Sequence, residues 1–178
     1  MSRLVTKSAP KLYIPQQKCN IQIRSANLED IEILGDLWYY HRNHHKQWDN
    51  LYAIIPSAQK EWEKQVKTYL NQSNHCILVA EDRTGKVVGY VHGSFHAWPL
   101  SPFQYYGSLN TITVAEEAQS QGIGKQLVKN LLSWFKEQQI DHISLHVDYR
   151  NRVALQIYHD VGFRPYQHRL MLDLAALT

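Results

Sequence analysis

Cysteine is scarce in this chain: there are two among 178 residues, Cys19 and Cys76. Two thiols build no disulfide framework, and neither has the spacing of a metal site. The fold must therefore rest on a buried core, and a domain of this length can bury about 70% of its unfolded surface. Long apolar runs are missing too. No stretch suffices to span a bilayer, and the start of the chain lacks the apolar segment of a secretory signal. Together these absences predict a cytoplasmic protein without a membrane partner. There is no internal repeat and no low-complexity tract, which excludes repeat architectures.

A large excess of one charge is also absent. The net charge is +3, and Arg3, Lys7, Lys11 and Lys18 precede any acidic residue, so residues 1–18 carry +4 and the remainder −1. A body so balanced is not a nucleic-acid binder on charge grounds. Such binding would have to go through the basic tail. With Pro10 and Pro15, residues 1–18 read as an irregular extension that Leu12, Tyr13 and Ile14 could anchor, and 19–178 as one domain.

What is present is a globular composition, 44% apolar and 20% charged. Asn20–Arg24 alternates as a strand. Asn27 caps a helix with Glu29 and Asp30 in its first turn, and Ile31, Leu34, Trp38 and His41 mark one face. Ser57 caps a second helix, with Trp62, Val66, Tyr69 and Leu70 inward. Cys76–Ala80 and Lys86–Phe95 are strands joined by the hairpin signal Asp82-Arg83-Thr84-Gly85. Leu109–Val114 is the central strand. Ile123, Leu127, Val128, Leu131, Leu132 and Phe135 lie on one helical stripe. Residues 142–147 form a strand and Asn151–Asp160 a helix ended by Gly162, and His168–Leu174 closes the sheet. The order β-α-α-β-β-β-α-β-α-β gives an α/β sandwich around a mixed sheet.

The chemistry concentrates between the central strand and its helix, at Gln119-Ser120-Gln121-Gly122-Ile123-Gly124-Lys125. The first N–H groups of a helix have no internal partner and the helix dipole adds positive charge there, so a glycine-bearing strand–helix turn holds phosphate. Gly122 and Gly124 remove Cβ atoms that would keep a phosphate from the backbone, and Lys125 adds a charge. The dinucleotide fingerprint and the P-loop are both absent. An ordinary strand–helix turn is the alternative for the loop alone.

Gln-x-x-Gly-x-Gly after a strand resembles the coenzyme A loop of the GNAT N-acetyltransferase superfamily. Downstream, Asn151, Ala154, Tyr158 and Gly162-Phe163 resemble that superfamily's second signature. The likeness is specific from Leu109 to Phe163 and a matter of pattern from Ile21 to Ala97. It implies a three-layer sandwich with a mixed, mostly antiparallel sheet, a splayed central strand and flanking helices. It also implies acetyl transfer from acetyl-CoA to a primary amine by direct attack in a ternary complex. By position, Ile112, Thr113 and Val114 would contact pantetheine through their backbone, with an N–H near Thr113 or Val114 polarising the acetyl carbonyl. Gln119, Ser120, Gln121, Gly122, Ile123, Gly124 and Lys125 would hold the pyrophosphate. Asn151 would meet the pantetheine amide, unless it is a plain N-cap. Tyr158 would protonate the departing thiolate, unless it is packing.

For the general base, Asn110 stands where many members of that family place a carboxylate, and an amide accepts no proton near neutral pH. Glu81, ending one strand, and His92, on the next, are the candidates. His41 and His45 have i,i+4 spacing without the glutamate of a zinc-protease motif, so no metal is expected. Tyr39, Tyr40, Trp48 and Tyr52 could border the acceptor. The acceptor is expected to be a small-molecule amine. A protein amine and a coenzyme A sensor without catalysis are the alternatives, and a homodimer is the assembly considered.

Overall fold

The structure, a computed structural model, describes residues 21–172 and 174. The expected extension at 1–18 lies outside them. Strand β1 is Gln22–Ser25, followed by one 3-10 turn at Leu28–Asp30 and helix α1, Ile31–Lys46. Helix α2 is Ala58–Tyr69, strands β2, β3 and β4 are His75–Glu81, Val87–Ala97 and Tyr105–Val114, and helix α3 is Ile123–Glu137. Strand β5, Ile143–Leu145, and helix α4, Arg152–Asp160, follow.

Local chemistry explains these boundaries. Asn27 Oδ1 accepts from Glu29 N–H at 2.8 Å while Asp30 Oδ2 accepts from Asn27 N–H at 2.8 Å, a reciprocal cap that starts the first helical segment. Ser57 occupies the N-cap of α2 without a side-chain bond. Asp82 Oδ1 accepts from Thr84 and Lys86 N–H, which fixes the β2–β3 turn with Gly85 at φ +83°. Gly162, at φ +104°, lies just beyond the end of α4 as expected.

The sheet runs β1-β2-β3-β4-β5, antiparallel except for the parallel pair β4–β5. Leu34, Leu37 and Val66 of α1 and α2 cover one face with Ile77, Val79, Val87 and Tyr90. On the other face Leu127, Val128, Leu131 and Phe135 of α3 are fully buried over Ala80, Val88, Val91 and Leu109. Each such side chain contributes roughly 1.5–3 kcal/mol by burial. The result is the expected three-layer sandwich.

The closing strand expected at His168–Leu174 does not form among the described residues. Tyr166, Leu170, Met171, Leu172 and Leu174 are instead exposed. Alternating residues specify a strand only where an edge is there to pair with them, and β5 is three residues long. The central strand, for its part, begins four residues earlier than its β-branched core suggests, because Tyr105–Ser108 pair with Ser94–Ala97.

Candidate active site

Strand β4 pairs with β3 along its whole length, whereas pairing with β5 covers Gly107–Leu109 against Ile143–Leu145. Beyond that point the two strands part. A cleft of about 300 Å³ opens there, lined by Ser108, Leu109, Asn110, Ser144, Leu145 and His146. The register also fixes which backbone groups face the gap. Ala115 N–H donates to Val88 O at 2.8 Å. Alternation along an antiparallel ladder then turns the N–H and C=O of Thr113 toward β3 and those of Ile112 and Val114 toward the gap. Gln119 Nε2, donating to Val114 O at 3.1 Å, agrees with that direction. Free backbone donors along the splay are thus supplied by Ile112 and Val114. Thr113 instead is buried beside Tyr90, its partner on β3.

At the wide end of the gap, Gln119 is extended, Ser120 sits at φ +61° and Gly122 at φ +80°. The left-handed turn at Gly122 caps α3 without a side-chain acceptor. The N–H groups of Ile123, Gly124 and Lys125 open the helix ahead of the first main-chain bond, Gln126 N–H to Gly122 O. No acidic residue lies in this first turn. Gly122 therefore owes its identity to its φ, with nothing near its absent side chain. Gly124 has another reason. A Cβ there would stand 3.2 Å from Ile157 Cδ1 and 3.7 Å from Ile112 Cδ1, so this glycine lets α3 pack on α4 and β4 rather than clearing space for a ligand. Ile123 is core. Gln121 is exposed, and Lys125 Nζ pairs with Asp160 at 2.7 Å.

Asn151 is the N-cap of α4, its Oδ1 accepting from Ala154 N–H at 3.0 Å, which leaves its amide nitrogen as the group free for a ligand. The Tyr158 ring is buried edge-on against Phe163, and no hydrogen bond among the described residues takes its hydroxyl. Burial pushes this phenol up to about 12, so it stays protonated.

The two base candidates part company. Glu81 accepts from Arg24, whose guanidinium also grips Asp30 at 2.7 and 2.8 Å, and it pairs with Val87 near the foot of β3. His92 lies five residues further along, about 16 Å at roughly 3.3 Å per residue. It stands beside Asn110, which lines the cleft. A register shift at His92–Gly93 leaves Asn110 as an extra residue on β4, a bulge that aims its side chain at Ser94 Oγ, 2.9 Å, and His92 Nε2, 3.5 Å. Burial holds His92 down at about 4, neutral and able to accept a proton.

Two features escaped the sequence. His146 faces Asn110 across the mouth of the cleft. Asp148, two residues on, accepts three times from Arg150, from its backbone N–H at 2.9 Å and its guanidinium at 2.8 and 2.6 Å, and once from Tyr52 Oη at 3.2 Å, tying the α1–α2 connection to the β5–α4 loop. His45 stacks on Trp48 and edges Tyr52. Trp48 and Tyr52 thus belong to this junction, while Tyr39 is exposed and Tyr40 tilts on His44. His41 packs on His45 at 4.0 Å and is held down at about 3 by burial. Among the described residues no group of three metal-ligating side chains forms, and no helix is long and apolar enough to cross a membrane.

A splayed parallel pair that leads into an uncapped helix N terminus defines an α/β protein able to hold a phosphate-bearing ligand along an extended arm. The Acetyltransferase (GNAT) family profile matches residues 33–163, and the chain belongs to that family, whose members are acyltransferases using acetyl-CoA. It is 28% identical over 102 residues to the mycothiol acetyltransferase of Renibacterium salmoninarum, covering 57% of this chain and 30% of that enzyme. The chain spans 27% to 52% of the length of the curated relatives it matches. Among solved structures, a predicted acetyltransferase from Clostridium acetobutylicum, crystallised with acetyl-CoA, superposes with TM-score 0.68 at 19% identity, covering 88% of this chain and 97% of that one. The aminoglycoside 6'-N-acetyltransferase AAC(6')-Ih of Acinetobacter baumannii gives 0.67 at 14%, over 86% and 97%. At these identities the likeness to solved structures speaks for the fold.

Proposed function

We propose that this protein transfers the acetyl group of acetyl-CoA to a primary amine of a small molecule by direct attack in a ternary complex. The observation that carries the reading is the splay. Backbone donors of Ile112 and Val114 line a gap that runs from the free N–H groups of α3 to the polar cleft at Asn110 and His146. A pyrophosphate would sit on the N–H groups of residues 123–125 and the loop 119–122, with pantetheine alongside β4 as a further strand. The acetyl carbonyl would then be polarised by a β4 N–H directed into the gap.

His92 takes the role of proton acceptor in preference to Glu81, which its ion pair with Arg24 occupies. As the C–N bond forms the amine becomes acidic, so a weak, neutral imidazole serves as base. Tyr158 donates to the departing sulfur. A phenol near 12 is a poor acid for a free thiolate near 8.5, yet a thiolate desolvated beside it would gain proton affinity for the same reason. The small-amine acceptor is favoured by the small polar cleft lined by Asn110, Ser144 and His146, and by the aminoglycoside acetyltransferase among the structural neighbours. A panel of polyamines, amino-acid derivatives and aminoglycosides, read by thiol release, tests the reading. Turnover with one of them supports it. Binding of acetyl-CoA without turnover on any amine returns the protein to the sensor class.

A further inference from the structure

Strand β3 delivers its buried histidine to a second one. His92 Nε2 lies 2.9 Å from Nδ1 of His75 at the start of β2, a hydrogen bond in which one ring donates and the other accepts. Tyr69 of α2 fixes both rings, stacked on His75 at 4.2 Å and 6° and on His92 at 5.2 Å and 30°. Ser94 and Asn110 complete the surroundings from β3 and β4. Among the described residues, the titratable side chains in contact with the pair are each other and Tyr69. No carboxylate is among the groups that shift either ring. His92 is 7% exposed and touches Asn110, which lines the cleft, whereas His75 is half-buried at the strand's end, so the pair leads from beside the cleft toward solvent.

Resting on the acetyltransferase reading above, we infer that His75 and His92 form a two-histidine relay that carries the acceptor amine's proton out of the site. The proton released as the C–N bond forms enters the His92 ring at Nδ1. The Nε2 proton crosses to His75 Nδ1, His75 gives up the proton on Nε2 to water, and both rings end neutral. The C–S electron pair leaves with sulfur, which takes its proton separately from Tyr158. The device has a physical reason. With no carboxylate beside it, a charged His92 would be stranded in a buried place, and handing the charge to a more exposed ring avoids that. His75 thus acts through His92, as a positioning and conducting residue.

The test uses His75→Gln, His92→Gln and the double variant, with whichever amine the wild type accepts. His75→Gln should lower kcat ten- to a hundredfold below about pH 8, with recovery at higher pH where hydroxide takes over, and leave the KM for acetyl-CoA unchanged. The double variant should be no slower than His92→Gln alone, the non-additivity expected of groups that act as a unit. Imidazole should partly restore His75→Ala. In the unmodified protein, 15N-imidazole spectra should show the two rings titrating as one coupled pair, a readout that survives if a variant fails to fold. Unchanged kcat and pH profile in His75→Gln, additive losses, or independent titration of the rings each overturn the relay while leaving acetyl transfer intact. A wild type that binds acetyl-CoA and turns over no amine overturns the function, and the relay with it.

Discussion

The two ends of the cleft are built from different materials. The end proposed to hold the cofactor is made of backbone: the N–H groups of Ile112 and Val114, the left-handed turn at Ser120 and Gly122, and the open first turn of α3. The end proposed for the acceptor is made of side chains drawn from α1, α2, β2, β3, β4 and the loop after β5, joined by Tyr52–Asp148–Arg150 and by Tyr69–His75–His92. Backbone sites tolerate side-chain change and fail when the main chain is altered. Side-chain sites do the reverse, and that contrast can be tested directly.

The largest expected effect is on the backbone. Thr113→Pro removes an N–H that the register directs to β3, at a buried residue, and should abolish the cooperative urea transition. Val114→Pro removes one directed to the gap. It should leave a folded protein, by circular dichroism, with acetyl-CoA affinity down more than tenfold by calorimetry. Equal loss of fold in both variants would mean the hydrogen-bond parity assigned to β4 is wrong. Gly124→Glu belongs with the first class, since its carboxylate would be driven against Ile157 and Ile112.

Next comes Tyr158→Phe, which keeps the ring against Phe163 and removes the donor. Turnover should fall roughly ten- to a hundredfold with acetyl-CoA affinity unchanged. Wild-type turnover, with chemistry rate-limiting, would reduce Tyr158 to packing.

The acceptor end also stores a pH dependence. His92 is held at about 4 and His41 at about 3, against 6.5 when unfolded. Below pH 6.5 the unfolded chain binds protons that the folded one refuses, so stability falls as pH drops from 6.5 toward those values. Each histidine adds a slope of about 1.4 kcal/mol per pH unit within its window. Urea midpoints measured from pH 7 to 4 check this, and His41→Gln should make the decline shallower.

Gln121→Glu follows, placing a negative charge beside the pyrophosphate loop on an exposed position. A loss of about tenfold in acetyl-CoA affinity, with the thermal midpoint unmoved, is expected from about 1–2 kcal/mol of repulsion at short range. Smallest is Tyr52→Phe. Losing one 3.2 Å bond to Asp148 should raise the acceptor KM a few-fold and leave acetyl-CoA binding untouched. A change in acetyl-CoA affinity here would mean the two ends are not separable.

The same contrast divides what the sequence determined from what the tertiary structure decided. Strand, glycine turn and amphipathic stripe lie next to one another between Leu109 and Phe135, so local periodicity and turn chemistry sufficed to place the glycine turn, α3 and the α4 segment ending at Gly162-Phe163. The order of elements up to α4 was legible for the same reason. Other features were not local. The parity that selects Ile112 and Val114 over Thr113 depends on β3 register and on a bulge at Asn110. The reason for Gly124 lies on α4, and the tail at 168–174 reads as a strand but none forms among its described residues. Glu81 and His92 looked equivalent until Arg24 engaged one and His75 the other. Residues 17 apart on two strands meet at 2.9 Å, and residues 96 apart join Tyr52 to Asp148. Such meetings are set by strand register and chain crossing, which no single segment encodes, so the glycine turn and the start of α3 were written in the sequence, whereas the parity of β4 and the side-chain half of the site were decided by folding.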